Sequence, residues 1–219
     1  MPASDIIQQI VQKGADIDSI VDRIIEEPGY IPDLIGVIDT EKGSIKFRCE
    51  KALRLISERH PEMIYPYFGF FTKLLESDNT FLRCGAIMTI ANLTTIDDKK
   101  RFENIFARYY SHIAGPALIP AMNVIGSSVK IAESIPELAD RIAKEILKVE
   151  KAEYLNKGVL SPECNNVACG QAIKTFDSLF NMVEDKKPVI EFVKRQLKST
   201  RGPVAKSAEK FLKKHHIAL

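Results

Sequence analysis

No stretch of this chain stays apolar long enough to cross a bilayer. The longest weakly charged run, Ile113 to Ser128, is interrupted by Gly115, Pro116, Pro120 and Gly126, and it falls short of the roughly 20 apolar residues that a span requires. The start, Met1-Pro2-Ala3-Ser4-Asp5, has neither a basic n-region nor an unbroken apolar h-region. The expectation is therefore no membrane contact, no secretory signal and a cytoplasmic location. Cys-x-x-Cys pairs are lacking, and Cys164 and Cys169 stand apart from every histidine, so converging zinc ligands are not expected. The four cysteines read as reduced small hydrophobes, with Cys49, Cys84 and Cys169 inside helical apolar patterns. Nucleophile elbows, phosphate-cradling glycine-rich loops and paired-carboxylate motifs are missing too. No catalytic residue, metal or cofactor is expected. Sustained period-2 alternation with turn pairs between is also absent.

What is present is helical. The 219 residues are 45% hydrophobic and 27% charged, which suits a soluble folded chain with one core or one extended stack. Ser4 to Lys13 and Asp18 to Glu27 read as short helices. Pro28-Gly29 stops the second before Ile31 to Asp39 forms a third. Ser44 is placed to cap a helix through Ser57, and Pro61 opens its partner to residue 77, with a kink expected at Pro66. Asp78-Asn79-Thr80 caps a helix to Leu93, and Asp97-Asp98 starts one through Ile113. Pro116 and Pro136 open helices to Ser134 and Tyr154. Ser161-Pro162-Glu163 combines a cap, a first-turn proline and an acid at the positive end of the helix dipole. A last pair spans Lys187 to Lys198 and Pro203 to His215. Gly14, Gly29, Gly158 and Gly202 are expected at helix ends.

Two copies of one pattern stand out. Phe47-Arg48-Cys49 is followed 35 residues later by Leu82-Arg83-Cys84, each opening an apolar helical run. Such a period marks stacked helix pairs. The segment Leu75-x-x-Asp78-x-x-x-Leu82-Arg83-x-x-Ala86-x-x-x-Ile90-x-x-Leu93 resembles the HEAT repeat, with Asp in the turn and Arg near the start of the next helix. Phe47-Arg48 with Ala52-Leu53 and Ile56 is a looser copy, and Val167 with Ala172-Ile173 and Val204 with Ala208 are echoes lacking the Arg. The resemblance, to the HEAT/armadillo-like repeats, implies an all-α right-handed α-α superhelix of about five helix pairs. It would form one domain over residues 1–219, with a bend near 151–161 and a basic C-terminal cap over 186–219. It further implies that Asp78, Arg83 and Arg48 are structural, the turn Asp and helical Arg binding neighbouring repeats together.

The same resemblance implies a binding or scaffolding module, monomeric, with the second helix of each pair lining a concave face. On that basis the contact residues are Tyr65, Thr72 and Lys73, then Asn104 and Arg108, then Arg141, Lys144 and Lys148, then Lys187, Lys194, Arg195 and Lys198. Tyr65 lies opposite the core face of Ile64, Tyr67, Phe68, Phe71, Leu74 and Leu75 at ~100° per residue. It reads either as an ordinary exposed aromatic or as a contact.

Charge points to one end. Residues 186–219 hold ten Lys and Arg against Glu191 and Glu209, a local +8 in a chain whose net charge is +2, so the first 185 residues carry −6. On the last two helices Lys187, Lys194, Arg195 and Lys198 oppose Val189, Val193 and Leu197, and Lys206, Lys210, Lys213 and Lys214 oppose Val204, Ala208 and Phe211. These faces are either a solubilising terminal cap or a site for another protein, an acidic peptide or nucleic acid. Two enzyme classes related by fold fit poorly. Repeat-built metal hydroxylases need His-Glu pairs, and none occurs. Base-excising enzymes need large aromatic walls and a carboxylate, and tryptophan is absent.

Overall fold

The computed structural model describes residues 5–40 and 43–218; the expected helix start at Ser4 lies outside them. The chain divides into two compact units, residues 1–98 and 99–219.

In the first unit α1 (Asp5–Val11), α2 (Ile17–Glu26) and α3 (Ile31–Thr40) precede α4 (Ile45–Arg59), against which all three pack. Their apolar stripes bury Ile6, Ile10, Ile24, Leu34 and Leu53, each such side chain contributing about 1.5–3 kcal/mol when fully removed from water. Arg48 ties α4 to the end of α1. Its Nη1 donates to the carbonyls of Ile10 (2.8 Å), Val11 (3.3 Å) and Gln12 (2.8 Å), which have no acceptor role left inside the short helix α1. Ser44 precedes α4 without a side-chain cap.

The aromatic segment is interrupted more strongly than a kink. It forms α5 (Pro61–Ile64), a 3-10 turn Tyr65–Tyr67 and α6 (Phe68–Leu74), because Pro66 has no amide to give and its ring crowds the preceding turn. The helix α7 (Thr80–Leu93) then packs on α4 and α6. Asn79 caps it, its Oδ1 accepting from the amides of Phe81 and Leu82.

The α4/α7 seam is built from repeat-equivalent positions. Asn92 Nδ2 donates to Ser57 Oγ at 2.8 Å, and Glu50 lies against Gly85; both pairs are 35 residues apart. A Cβ on Gly85 would stand 1.8 Å from Glu50 Oε1. Glycine here leaves the slot that the carboxyl fills.

In the second unit α8 (Arg101–Ser111) is followed by α9 (Leu118–Ser134) and α10 (Ala139–Leu147). The start of α8 is later than Asp97-Asp98 predict, since Lys100 takes a left-handed conformation at the N-cap and Asp97 accepts from Tyr65 Oη instead. Pro116 does not open α9; its bond to Gly115 is cis and the helix begins at Leu118. Likewise α10 ends in a 3-10 turn at Lys151, short of Tyr154. Tyr154 is buried and donates to the Ile113 carbonyl at 2.7 Å.

The connection over 151–161 holds a two-stranded antiparallel hairpin, β1 (Leu155–Asn156) and β2 (Val159–Leu160). Its turn residues Lys157 and Gly158 both have positive φ, the geometry of the mirror-image turns that suit tight hairpins. Gly158 thus serves this turn and not a helix end. The remaining elements are α11 (Pro162–Leu179), α12 (Lys187–Gln196) and α13 (Gly202–Lys214). Ser161 caps α11 through the Cys164 amide. The helices α9, α11 and α13 adjoin in sequence order as one layer, and α10 and α12 adjoin each other and pack on it. The aromatic face of α8, Phe102, Phe106, Tyr109 and Tyr110, is buried. Tyr110 Oη meets Ser128 Oγ of α9 at 3.1 Å.

Candidate functional site

The contact residues nominated from sequence lie on or beside α6 in the first unit and on or beside α8, α10 and α12 in the second. Several are already engaged. Tyr65 is half-buried and its hydroxyl donates to Asp97. Thr72 Oγ1 donates to the Phe68 carbonyl, while Lys73 is exposed. Asn104 and Arg108 are exposed on α8. Arg141 is exposed and its guanidinium lies over the Phe106 ring at 4.2 Å, a cation–π contact. Lys144 is exposed, and Lys148 is held by Glu145 at 2.6 Å.

On the C-terminal pair, Lys187 and Lys198 are exposed and Lys194 is half-buried. Arg195 forms a two-pronged bridge to Glu150, with Nε and Nη2 each donating at 2.8 Å. The four cations over 187–198 therefore do not act as one uncommitted set.

The expected bridge between Asp78 and Arg83 is not made. Asp78 is exposed, and Arg83 Nε is buried without a hydrogen-bond partner. The cap of α7 is Asn79 and not Asp78. Arg48, at the equivalent repeat position, instead holds the carbonyls at the end of α1.

Charge and concavity coincide elsewhere, between α11 and α13. A groove of about 330 Å³ is lined by Ile173, Lys174, Asp177, Ser207, Lys210, Phe211 and Lys214. A second hollow of about 170 Å³ shares Lys174 and Ser207 and extends to Met122 of α9 and to Arg201. Packing explains the lining. Phe211, Val204 and Ala208 of α13 are buried against α11, which turns Lys206, Ser207, Lys210 and Lys214 toward the rim and the solvent. Lys174 comes from α11, whose buried face holds Ala172, Ile173, Phe176 and Leu179.

The groove carries one internal acid. Asp177 accepts from Lys214 Nζ and from His215 Nε2, both at 2.8 Å. Desolvation opposes ionisation of this carboxyl, yet the hydrogen bonds and charges of Lys214 and His215 together hold it below the ordinary carboxylate range. The His215 ring lies against both Phe180 and Phe211, 4.2 and 4.5 Å from their centroids. Lys174 and Lys210 have no hydrogen bond or ion pair among the described residues. Arg201, at the edge, is bound to Glu163.

The cysteine expectations concern burial. Cys49, Cys84 and Cys169 are buried, Cys164 is half-buried, and none is in a disulfide. Burial pushes the thiols of Cys49 and Cys169 up to about 12. No group of three or more metal-ligating side chains converges among the described residues. No helix among them is long and apolar enough to cross a membrane.

Sequence signalled part of this groove. Lys210 and Lys214 belong to the charged face opposite Phe211, but Lys174 is a single lysine on an otherwise apolar and neutral stretch. Only the packing of α11 on α13 brings the three together.

No family model matches the chain. Among curated proteins it is similar to an uncharacterized protein of Methanocaldococcus jannaschii, 22% identical over 117 residues, covering 52% of this chain and 56% of that protein. The chain thus spans about half the length of the curated relative it matches. Among solved structures, a designed armadillo repeat protein superposes with a TM-score of 0.56 at 15% identity, covering 96% of this chain and 98% of that one. A second designed armadillo repeat protein, in complex with the peptide (KR)4, gives 0.54 at 15% identity over 97% and 99%. A further engineered protein gives 0.55 at 18% identity over 96% and 87%. Stacked helical layers and these likenesses together establish an all-α, armadillo/HEAT-like helical-repeat fold.

Proposed function

We propose that this protein is a binding or scaffolding protein that holds a segment of another protein on the α11/α13 face. The observation that carries this reading is the groove between those helices, where Ile173 and Phe211 close the floor and the uncommitted Lys174 and Lys210 stand at the rim. Protein segments bind such surfaces by placing apolar side chains on the floor and polar groups at the rim. The second designed armadillo neighbour, a protein of similar fold, was solved with a peptide, which supports peptide capture as a use of this architecture. A nucleic-acid ligand is less well supported by the groove, because Phe211 is only 2% exposed and offers no face for base stacking.

Site-specific photocrosslinking tests the reading. A benzophenone amino acid replacing Ser207 should trap discrete protein species that nuclease treatment leaves unchanged. The same label replacing Asn104 on α8 should not trap them. Adducts formed equally at both positions, or adducts destroyed by nuclease, would contradict this function.

A further inference from the structure

We propose that the segment held in the groove is acidic, with carboxylates paired to Lys174 and Lys210; this rests on the binding function proposed above. Three observations converge on that chemistry. First, Lys174 and Lys210 face the same groove from α11 and α13 and are exposed, and neither has an intramolecular acid among the described residues. Second, the groove already accommodates a carboxylate. Asp177 is gripped by Lys214 and His215 at 2.8 Å each, so the groove-lining Lys214 already has its acid within the protein. Third, positive charge predominates in the segment that supplies α13, because residues 186–219 carry ten Lys and Arg against Glu191 and Glu209, a net +8.

The division of labour among the cations follows. Asp177 neutralises Lys214, while Lys174 and Lys210 stay unneutralised. An incoming segment therefore meets two ammonium groups along one groove, one from α11 and one from α13. It is selected by opposite charge at the rim, which sets specificity and association rate more than total affinity. A basic segment is repelled by the same two groups. The segment expected here is thus opposite in charge to the (KR)4 peptide in the complex of the designed neighbour.

Fluorescence anisotropy with two labelled octapeptides tests this on the full chain: one of alternating Glu and Asp, the other of alternating Lys and Arg. The acidic peptide should bind and the basic one should not. Combined Lys174→Glu and Lys210→Glu should weaken the acidic peptide by at least roughly tenfold. Combined Lys174→Arg and Lys210→Arg should retain it. Circular dichroism of both variants reports folding, and Lys174→Gln with Lys210→Gln provides a milder pair in which the loss should be smaller but in the same direction. Equal binding of both octapeptides, or unchanged affinity in the charge-reversed protein, overturns the proposal. A labelled single-stranded oligonucleotide that binds at these lysines more tightly than the acidic peptide also overturns it. If crosslinking at Ser207 captures protein while the acidic octapeptide fails to bind, the binding function stands and its acidic specificity falls.

Discussion

Glu50 makes the stability of the first unit depend on pH in the direction opposite to most carboxylates. The side chain is 8% exposed and fills the slot beside Gly85, where a Cβ would meet its Oε1 at 1.8 Å and its Cδ at 2.1 Å. Its Oε1 and the Nε of Arg54 are both buried without a hydrogen-bond partner. The two stand 4.0 Å apart, too far for a hydrogen bond. Burial therefore outweighs the attraction of Arg54 and pushes the Glu50 carboxyl up to about 7 from an ordinary value of 4.5. In the unfolded chain the acid ionises near its ordinary value, whereas in the folded protein it keeps its proton to near neutrality. The associated stability is fully present below about pH 4.5, falls as pH rises and is lost above about 7. The gap of about 2.5 pH units corresponds to about 3 kcal/mol at ~1.4 kcal/mol per unit.

Urea unfolding between pH 5 and pH 8, read by thiol labelling of Cys49 and Cys84, measures this in the unit concerned. Asp5, Asp16 and Glu62 have carboxyls held low by Arg23, Ser19 and the local backbone respectively, so their contributions grow with pH from a more acidic range. Comparison with Glu50→Gln removes that common background. The variant should lose the Glu50-dependent fall and exceed the parent at pH 8 by roughly 2–3 kcal/mol, while matching it more closely at pH 5. A parallel pH dependence in parent and variant, or a variant less stable at pH 8, would refute the reasoning.

Three further outcomes are expected. Gly85→Ala should destabilise the first unit by about 1–3 kcal/mol through overpacking, and adding Glu50→Ala should recover part of that loss in a double-mutant cycle; additive effects would argue against the slot. Arg48→Ala should cost roughly 1.5–3 kcal/mol because it strips a charged donor from the carbonyls ending α1, and hydrogen exchange should show faster opening of Asp5–Val11, whereas Arg83→Ala should cost less than about 1 kcal/mol because no bridge is lost. Thiol reagent should modify half-buried Cys164 well before Cys49 and Cys169, whose burial raises their thiols to about 12; fast loss of Cys49 in the native state would contradict that order.

Local chemistry was readable wherever one short segment specified it. Ser161-Pro162-Glu163 starts α11 as its capping pattern predicts, and the 35-residue spacing of Arg48 and Arg83 places α4 beside α7. The hairpin over Leu155–Leu160 escaped because each strand has only two residues, too few to alternate, and Lys157-Gly158 is a weaker turn signal than Asn-Gly. Pro116 and Asp97 misled for a different reason. Each carries a helix-start signal, but the cis bond occupies one and the Tyr65 hydroxyl engages the other. The groove required more still. Lys174 is indistinguishable in sequence from any solvated lysine, and it gains meaning when α11 and α13 pack side by side over Ile173 and Phe211. The clustered cations of 187–198 drew attention by number, yet Arg195 is bound to Glu150 across 45 residues. Density of charge along a chain therefore locates a basic surface, whereas its capacity to bind depends on which cations lack an acid of their own, and that is settled only by long-range packing.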